Sequence, residues 1–215
     1  MKIRNILLAC VLCAMPCFAL AQSAGSFSDN FESRRLDSGH FTVLGGDDSV
    51  VNMGTRGLTL VSKGATPSDA GGVSFSPSSG SWEVEVSVLL SPKGKAGLVL
   101  MQDRANWWGL TADCGSICVC SAEGEVSRIS NPYGRYLHLR LQYDGASLKV
   151  SAAPQKTRWT PVANSNPGVH RQPADGWRSL GAFDCGAGVR NVCLMAMDGC
   201  AVSYRDFWYR ENNIR

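Results

Sequence analysis

The sequence predicts an all-β protein, folded as a two-sheet antiparallel β-sandwich, and three observations support this. Helical periodicity is almost absent. Short runs with period-2 alternation recur between clusters of Gly, Ser, Asp and Asn, the pattern of half-buried strands joined by turns. The chain has 215 residues with 44% hydrophobic and 18% charged content, enough apolar material for a substantial core and too little charge for disorder.

Residues 1–21 open with Lys2 and Arg4, continue with an apolar run from Ile6 to Leu20, and end in small residues at Ala19 and Ala21. That is the layout of a secretory signal peptide cut after Ala21, which implies a secreted or periplasmic protein. Cys10 lies too early in the apolar run for a lipid anchor. Residues 22–215 then read as one sandwich domain, and no later run is apolar enough to span a bilayer. Without Lys2 and Arg4 the chain is nearly neutral, which leaves no electrostatic footprint for nucleic acid.

Strands are expected at 40–44, 58–61, 72–75, 82–90, 96–102, 107–112, 117–121, 136–143, 146–153, 192–197 and 201–209. The clearest is YLHLRLQYDGASLKV, where Leu137, Leu139, Leu141 and Tyr143 alternate with His138, Arg140 and Gln142. Asp144-Gly145 then supplies a tight hairpin turn. In WEVEVSVLL, Trp82, Val84 and Val86 form the core side, and Glu83, Glu85 and Ser87 form what reads as a solvated side. In AGLVLMQDRANWWGL, Gln102-Asp103 marks a turn between two antiparallel strands. Trp107 and Trp108 must point to opposite sheet faces. The doublet alone does not decide which of them is exposed; Leu110 shares the parity of Trp108, which favours Trp108 as the core member and Trp107 as the exposed one. One segment departs from this rhythm: residues 154–176 are rich in Pro and Asn and form a long loop that carries Trp159 and His170.

Six cysteines follow the signal segment: Cys114, Cys118, Cys120, Cys185, Cys193 and Cys200. Export allows disulfides among them, and small buried thiols are the alternative. The spacing of Cys114, Cys118 and Cys120 does not suit a tetrahedral zinc site, so no metal is assigned.

The order of these motifs resembles a known family. FSDNFESRRLDSGHFTVL, through Asn30-Phe31, Leu36 and Phe41, is similar to the entry strand of concanavalin A-like secreted domains. It is followed by Gly57-Leu58-Thr59-Leu60, AGLVLMQDRANWWGL, YLHLRLQYDGASLKV, Trp177-Arg178-Ser179-Leu180-Gly181 and a closing SYRDFWYRE. This succession resembles the C-terminal jelly-roll domain of family-43 glycoside hydrolases (β-xylosidases and arabinofuranosidases) and related free-standing secreted domains, over about Phe27 to Glu211. The resemblance implies a jelly roll of the concanavalin A-like lectin/glucanase type. It implies the accessory sandwich alone, since the catalytic carboxylates of those xylosidases sit in a separate propeller. By the same analogy a structural calcium would use Asp47 and Asp48, although no dense loop of oxygen ligands surrounds them. The long loop and the cysteines depart from the family pattern.

Catalytic constellations are sparse. Glu83 and Glu85 share a strand face about 6.5 to 7 Å apart by backbone rise, but the third acid of a glucanase strand is missing at Ser87 and Val88. No Gly-x-Ser-x-Gly elbow accompanies His138 or His170. Sugar recognition needs aromatic faces for C–H surfaces plus planar hydrogen-bonding groups. Gln102, Trp107, His138 and Arg140, with Trp159 as a loop contact, are the candidate ligand-binding residues. The expected function is a secreted, non-catalytic domain that binds a polysaccharide or cell-surface glycan and needs no cofactor. The alternatives are an interaction module for an envelope protein and a glycoside hydrolase of concanavalin A-like fold.

Overall fold

The structure is a computed structural model that describes residues 25–45, 49–77, 80–155, 176–188 and 190–212. The expected signal segment, Asp47 and Asp48, and Trp159 and His170 of the long loop lie outside the described residues. The described chain forms strands β1 (Ser26–Asp29), β2 (Phe41–Leu44), β3 (Val50–Gly54), β4 (Gly57–Val61), β5 (Gly72–Phe75), β6 (Trp82–Leu90), β7 (Lys95–Asp103) and β8 (Asn106–Ala112). They continue as β9 (Ser116–Ser121), β10 (Gly124–Ser130), β11 (Tyr136–Tyr143), β12 (Ser147–Pro154), β13 (Arg178–Asp184), β14 (Asn191–Met197) and β15 (Val202–Glu211).

These strands make two antiparallel sheets. One has the order β13-β12-β11-β6-β15-β4-β3, with β1 also pairing β15; the other runs β10-β9-β8-β7-β14-β5-β2. Consecutive hairpins supply part of each sheet, but β6 is flanked by β11 and β15, so the first sheet's centre joins segments far apart in sequence.

Alternation builds the core between the sheets. Leu137, Leu139 and Leu141 of β11 are fully buried, while His138, Arg140 and Gln142 between them are half-buried. Trp82, Val84, Val86 and Val88 of β6 face the same core, opposed by Leu98, Leu100 and Leu110 of the other sheet. Tyr204 of β15 ties the sheets together: its hydroxyl lies 2.6 Å from the Met195 carbonyl and accepts the Gly97 N–H at 3.1 Å. One end of the sandwich is closed by a cluster of rings that includes Phe31, Phe41, Phe75 and Phe207.

A second, smaller apolar cluster lies on the far surface of the other sheet, formed by Val99, Met101, Trp107, Cys120, Cys193, Met195 and Met197 under Ala70. Residues 62–71 strap it down. The Arg104 guanidinium donates to the carbonyls of Pro67, Ser68, Ala70 and Gly45. Trp107 Nε1 donates to Ser68 Oγ at 3.0 Å.

The structure corrects the expected exposure of Trp107 and of the Glu83–Glu85 face. Trp107 has the outward parity assigned to it but is only 5% exposed, because the strap covers that surface. Trp108 faces the core side, yet it sits near the start of β8 and is only partly buried, with the Arg190 guanidinium 5.1 Å from its ring centroid. Glu83 and Glu85 are not a solvated face; they are 7% and 5% exposed. Of the two alternatives for the cysteines, the structure has free thiols: among the described residues Cys114, Cys118, Cys120, Cys185, Cys193 and Cys200 form no disulfide, and four of them are buried. Burial pushes the Cys120 and Cys193 thiols up to about 11 and about 12, so both are held protonated and inert.

Candidate functional site

Paired polar side chains line the outer face of the sheet that carries β6 and β11. Register explains why. His138, Arg140 and Gln142 of β11 stand opposite Ser87, Glu85 and Glu83 of β6, so each row across the sheet juxtaposes groups that can pair. Gln142 Nε2 donates to Glu83 Oε2 at 2.7 Å. An Arg140 guanidinium nitrogen lies 3.9 Å from Glu85 Oε1. Across the other edge of β6, Trp208 stands opposite Glu85 and Arg210 opposite Glu83.

A bulge in β15 adds one more carboxylate. Between the pairs Arg205–Ser87 and Trp208–Glu85, two residues of β15 oppose one of β6. Asp206 takes up the irregularity with a φ of 50°, in the left-handed region that a non-glycine residue seldom adopts. The bulge shifts the alternation by one residue, so that Tyr204 before it and Phe207 after it both lie in the core. Asp206 Oδ2 thereby accepts a hydrogen bond from Ser87 Oγ at 3.1 Å, and the same hydroxyl lies 3.2 Å from His138 Nδ1. Serine is the middle member of this chain, so the arrangement is not a nucleophile activated by a histidine. Burial holds the His138 imidazole below its usual pKa, against the opposing pull of Asp206. Beside this chain, Arg205 pairs with Glu32.

Trp177, just before β13, brings an aromatic ring to the same face. The Arg140 guanidinium lies 4.2 Å from its ring centroid, and the His138 ring meets it edge-on at 6.3 Å. Trp177 and Trp208 are both half-buried. Among the described residues no group of three His, Cys, Asp or Glu side chains could hold a metal ion.

Of the sequence-derived site residues that lie among the described residues, the structure brings together His138 and Arg140; Trp159 lies outside them. Gln102 sits exposed on β7 of the other sheet, at a register shift beside the turn into β8. Trp107 lies on the far surface of that sheet, with the thickness of the sandwich, about 10 Å between sheets, separating it from His138. Both are therefore removed from the His138–Arg140 face, because β7 and β8 pair with β14 and β9 rather than with β11. The sequence reading passed over Gln142, Asp206 and Trp208. The signal for the last two was the break in alternation at Arg205-Asp206, where two consecutive polar residues interrupt a strand.

No protein-family model matches the chain, and no curated protein is similar to it in sequence. Solved structures are similar in fold. A xylan β-1,4-xylosidase from Bacillus halodurans C-125 aligns with a TM-score of 0.62 and 16% identity over 86% of this chain and 39% of its own. The GH43 protein BlXynB from Bacillus licheniformis aligns at 0.59 and 17% identity over 85% of this chain and 38% of its own, so this chain spans about two fifths of the length of either protein. A Crh5 transglycosylase aligns at 0.56 and 11% identity over 88% of this chain and 85% of its own. In fold the chain is a jelly-roll β-sandwich similar to the β-sandwich domain of family-43 glycoside hydrolases.

Proposed function

We propose that this protein is exported and binds a glycan without cleaving it, on the outer face of the sheet that carries β6 and β11. The observation that carries this reading is the half-buried Trp177 ring packed on Arg140 and flanked by His138, beside the Gln142–Glu83 pair. An aromatic face for sugar C–H surfaces and planar donors and acceptors for hydroxyls are the two components of a sugar site. A non-catalytic role is supported by the state of the carboxyl groups. A glycosidase needs one carboxyl free to protonate the leaving oxygen and a second that reaches the sugar. Glu83 and Glu85 are more than nine-tenths buried, with Gln142 and Arg140 as cross-strand partners. The xylosidases similar in fold fit a glycan-related role, as does the name of the transglycosylase.

The test is retention on affinity gels cast with a panel of polysaccharides, alongside reducing-sugar release from the same panel. The expected result is retardation of the parent on at least one gel, its loss in Trp177→Ala with an unchanged melting temperature, and no sugar release. A parent that is never retarded, or that is retarded equally after Trp177→Ala, overturns the reading. Sugar release that disappears in Glu83→Gln would make the protein a hydrolase.

A further inference from the structure

We infer that the site takes an extended, uncharged glycan chain, laid across β11, β6 and β15 from Trp177 to Trp208. This rests on the glycan-binding reading above and adds the size and charge class of the ligand. Arg140, Glu85 and Trp208 are register partners on three neighbouring strands. Strand spacing places the outer two Cα atoms roughly 10 Å apart. Trp177 lies over the Arg140 end of that row, and Trp208 forms the other end, with the Arg210 guanidinium 5.0 Å from its ring centroid. Two half-buried aromatic rings therefore bracket a polar floor. One sugar ring can cover only one of them, so the second is used only by a chain that continues over Glu85.

The charge balance of the floor selects among chains. Glu83, Glu85 and Asp206 are interleaved with Arg140, Arg210 and Lys149 on the same face, and Glu85 has Arg140 beside it at 3.9 Å. Recognition of uronates or sulfates requires cations left unneutralised by the protein's own carboxylates. Here each sign is matched by the other, Arg205 and Glu32 included, and the groups left to meet hydroxyls are the half-buried His138, Arg140 and Gln142 rather than the buried Glu83 and Glu85.

The experiment is calorimetric titration of the parent, Trp177→Ala and Trp208→Ala with cello-, xylo-, laminari- and manno-oligosaccharides of increasing length, and with oligogalacturonates. One neutral series is expected to bind at least about tenfold more tightly as hexasaccharide than as disaccharide, a gain of about 1.4 kcal/mol. Trp208→Ala is expected to remove that gain and leave disaccharide affinity within about twofold, whereas Trp177→Ala weakens every length. Trp208→Tyr, which keeps an aromatic face, restores most of the gain and separates ring loss from misfolding. Equal affinity at all lengths, a length gain that survives in Trp208→Ala, or tighter binding of oligogalacturonates overturns the inference while leaving glycan binding intact. Failure of the parent to bind any oligosaccharide overturns both.

Discussion

Tyr204→Phe is the sharpest probe of how the two sheets are held together. The side chain is fully buried, and its hydroxyl reaches across the core to backbone groups of the opposite sheet. A hydroxyl has one hydrogen to give, and it goes to the Met195 carbonyl at 2.6 Å rather than to the Gly97 carbonyl at 3.1 Å; the lone pairs accept the Gly97 N–H. Phenylalanine keeps the ring and its packing and removes only these bonds. The Met195 carbonyl and the Gly97 N–H lose this partner in the fully buried core, at about 1 to 3 kcal/mol for each group left unsatisfied. The expected loss is therefore about 3 kcal/mol, which for a domain of this size lowers the melting temperature by roughly 6 to 12 °C. Urea denaturation followed by tryptophan fluorescence measures it. A loss below about 0.5 kcal/mol would show that the cross-core hydrogen bonds contribute nothing net, and the account of sheet-to-sheet attachment would fail.

Three further outcomes follow from the geometry. Burial depresses the pKa of His138, so the folded protein takes up that proton less readily than the unfolded chain. Stability should therefore be complete above the unfolded pKa of about 6.5 and fall as pH drops below it. His138→Gln should flatten the pH dependence of the urea midpoint in that window, and an unchanged slope would refute the assignment. Thiol titration of the denatured protein without reductant should count Cys114, Cys118, Cys120, Cys185, Cys193 and Cys200 as free, with Cys120 and Cys193 unreactive in the native state; extra thiols released by reductant would show a disulfide. Gly57→Ala should be strongly destabilising, by about 3 kcal/mol or more, because its φ is +88° and a Cβ there would lie 2.3 Å from the Tyr204 carbonyl oxygen. Normal stability in the Gly57→Ala variant would show that β4 and β15 do not approach so closely.

The predicted strands correspond to eleven of the fifteen among the described residues, within a residue or two at their ends. The four without a counterpart are β1, β3, β10 and β13. All lie at or near a sheet margin, where a strand has fewer neighbours to bury it. β10 is mostly exposed and carries a register shift between Glu125 and Ser127 that breaks its alternation. β3 and β13 contain few buried side chains, and β1 is only four residues long. Alternation is read from burial, so a strand that buries little leaves little to read.

The candidate site divides along the same line. His138 and Arg140 were legible because their hairpin alternates cleanly and its turn is local. Trp107 misled because parity specifies a face and not what covers it, and its cover comes from residues 62–71, far away in sequence. Trp208 and Asp206 entered the site only through the pairing of β15 with β6, which lie more than a hundred residues apart. The sequence alone determined the all-β class, most of the strands and which side of each faces inward, since these depend on periodicity within a few residues. Only the tertiary structure decided which polar faces share a sheet, which tryptophans are covered and where the carboxylates meet their partners. Those outcomes depend on non-local strand pairing, to which no short segment of the chain commits by itself.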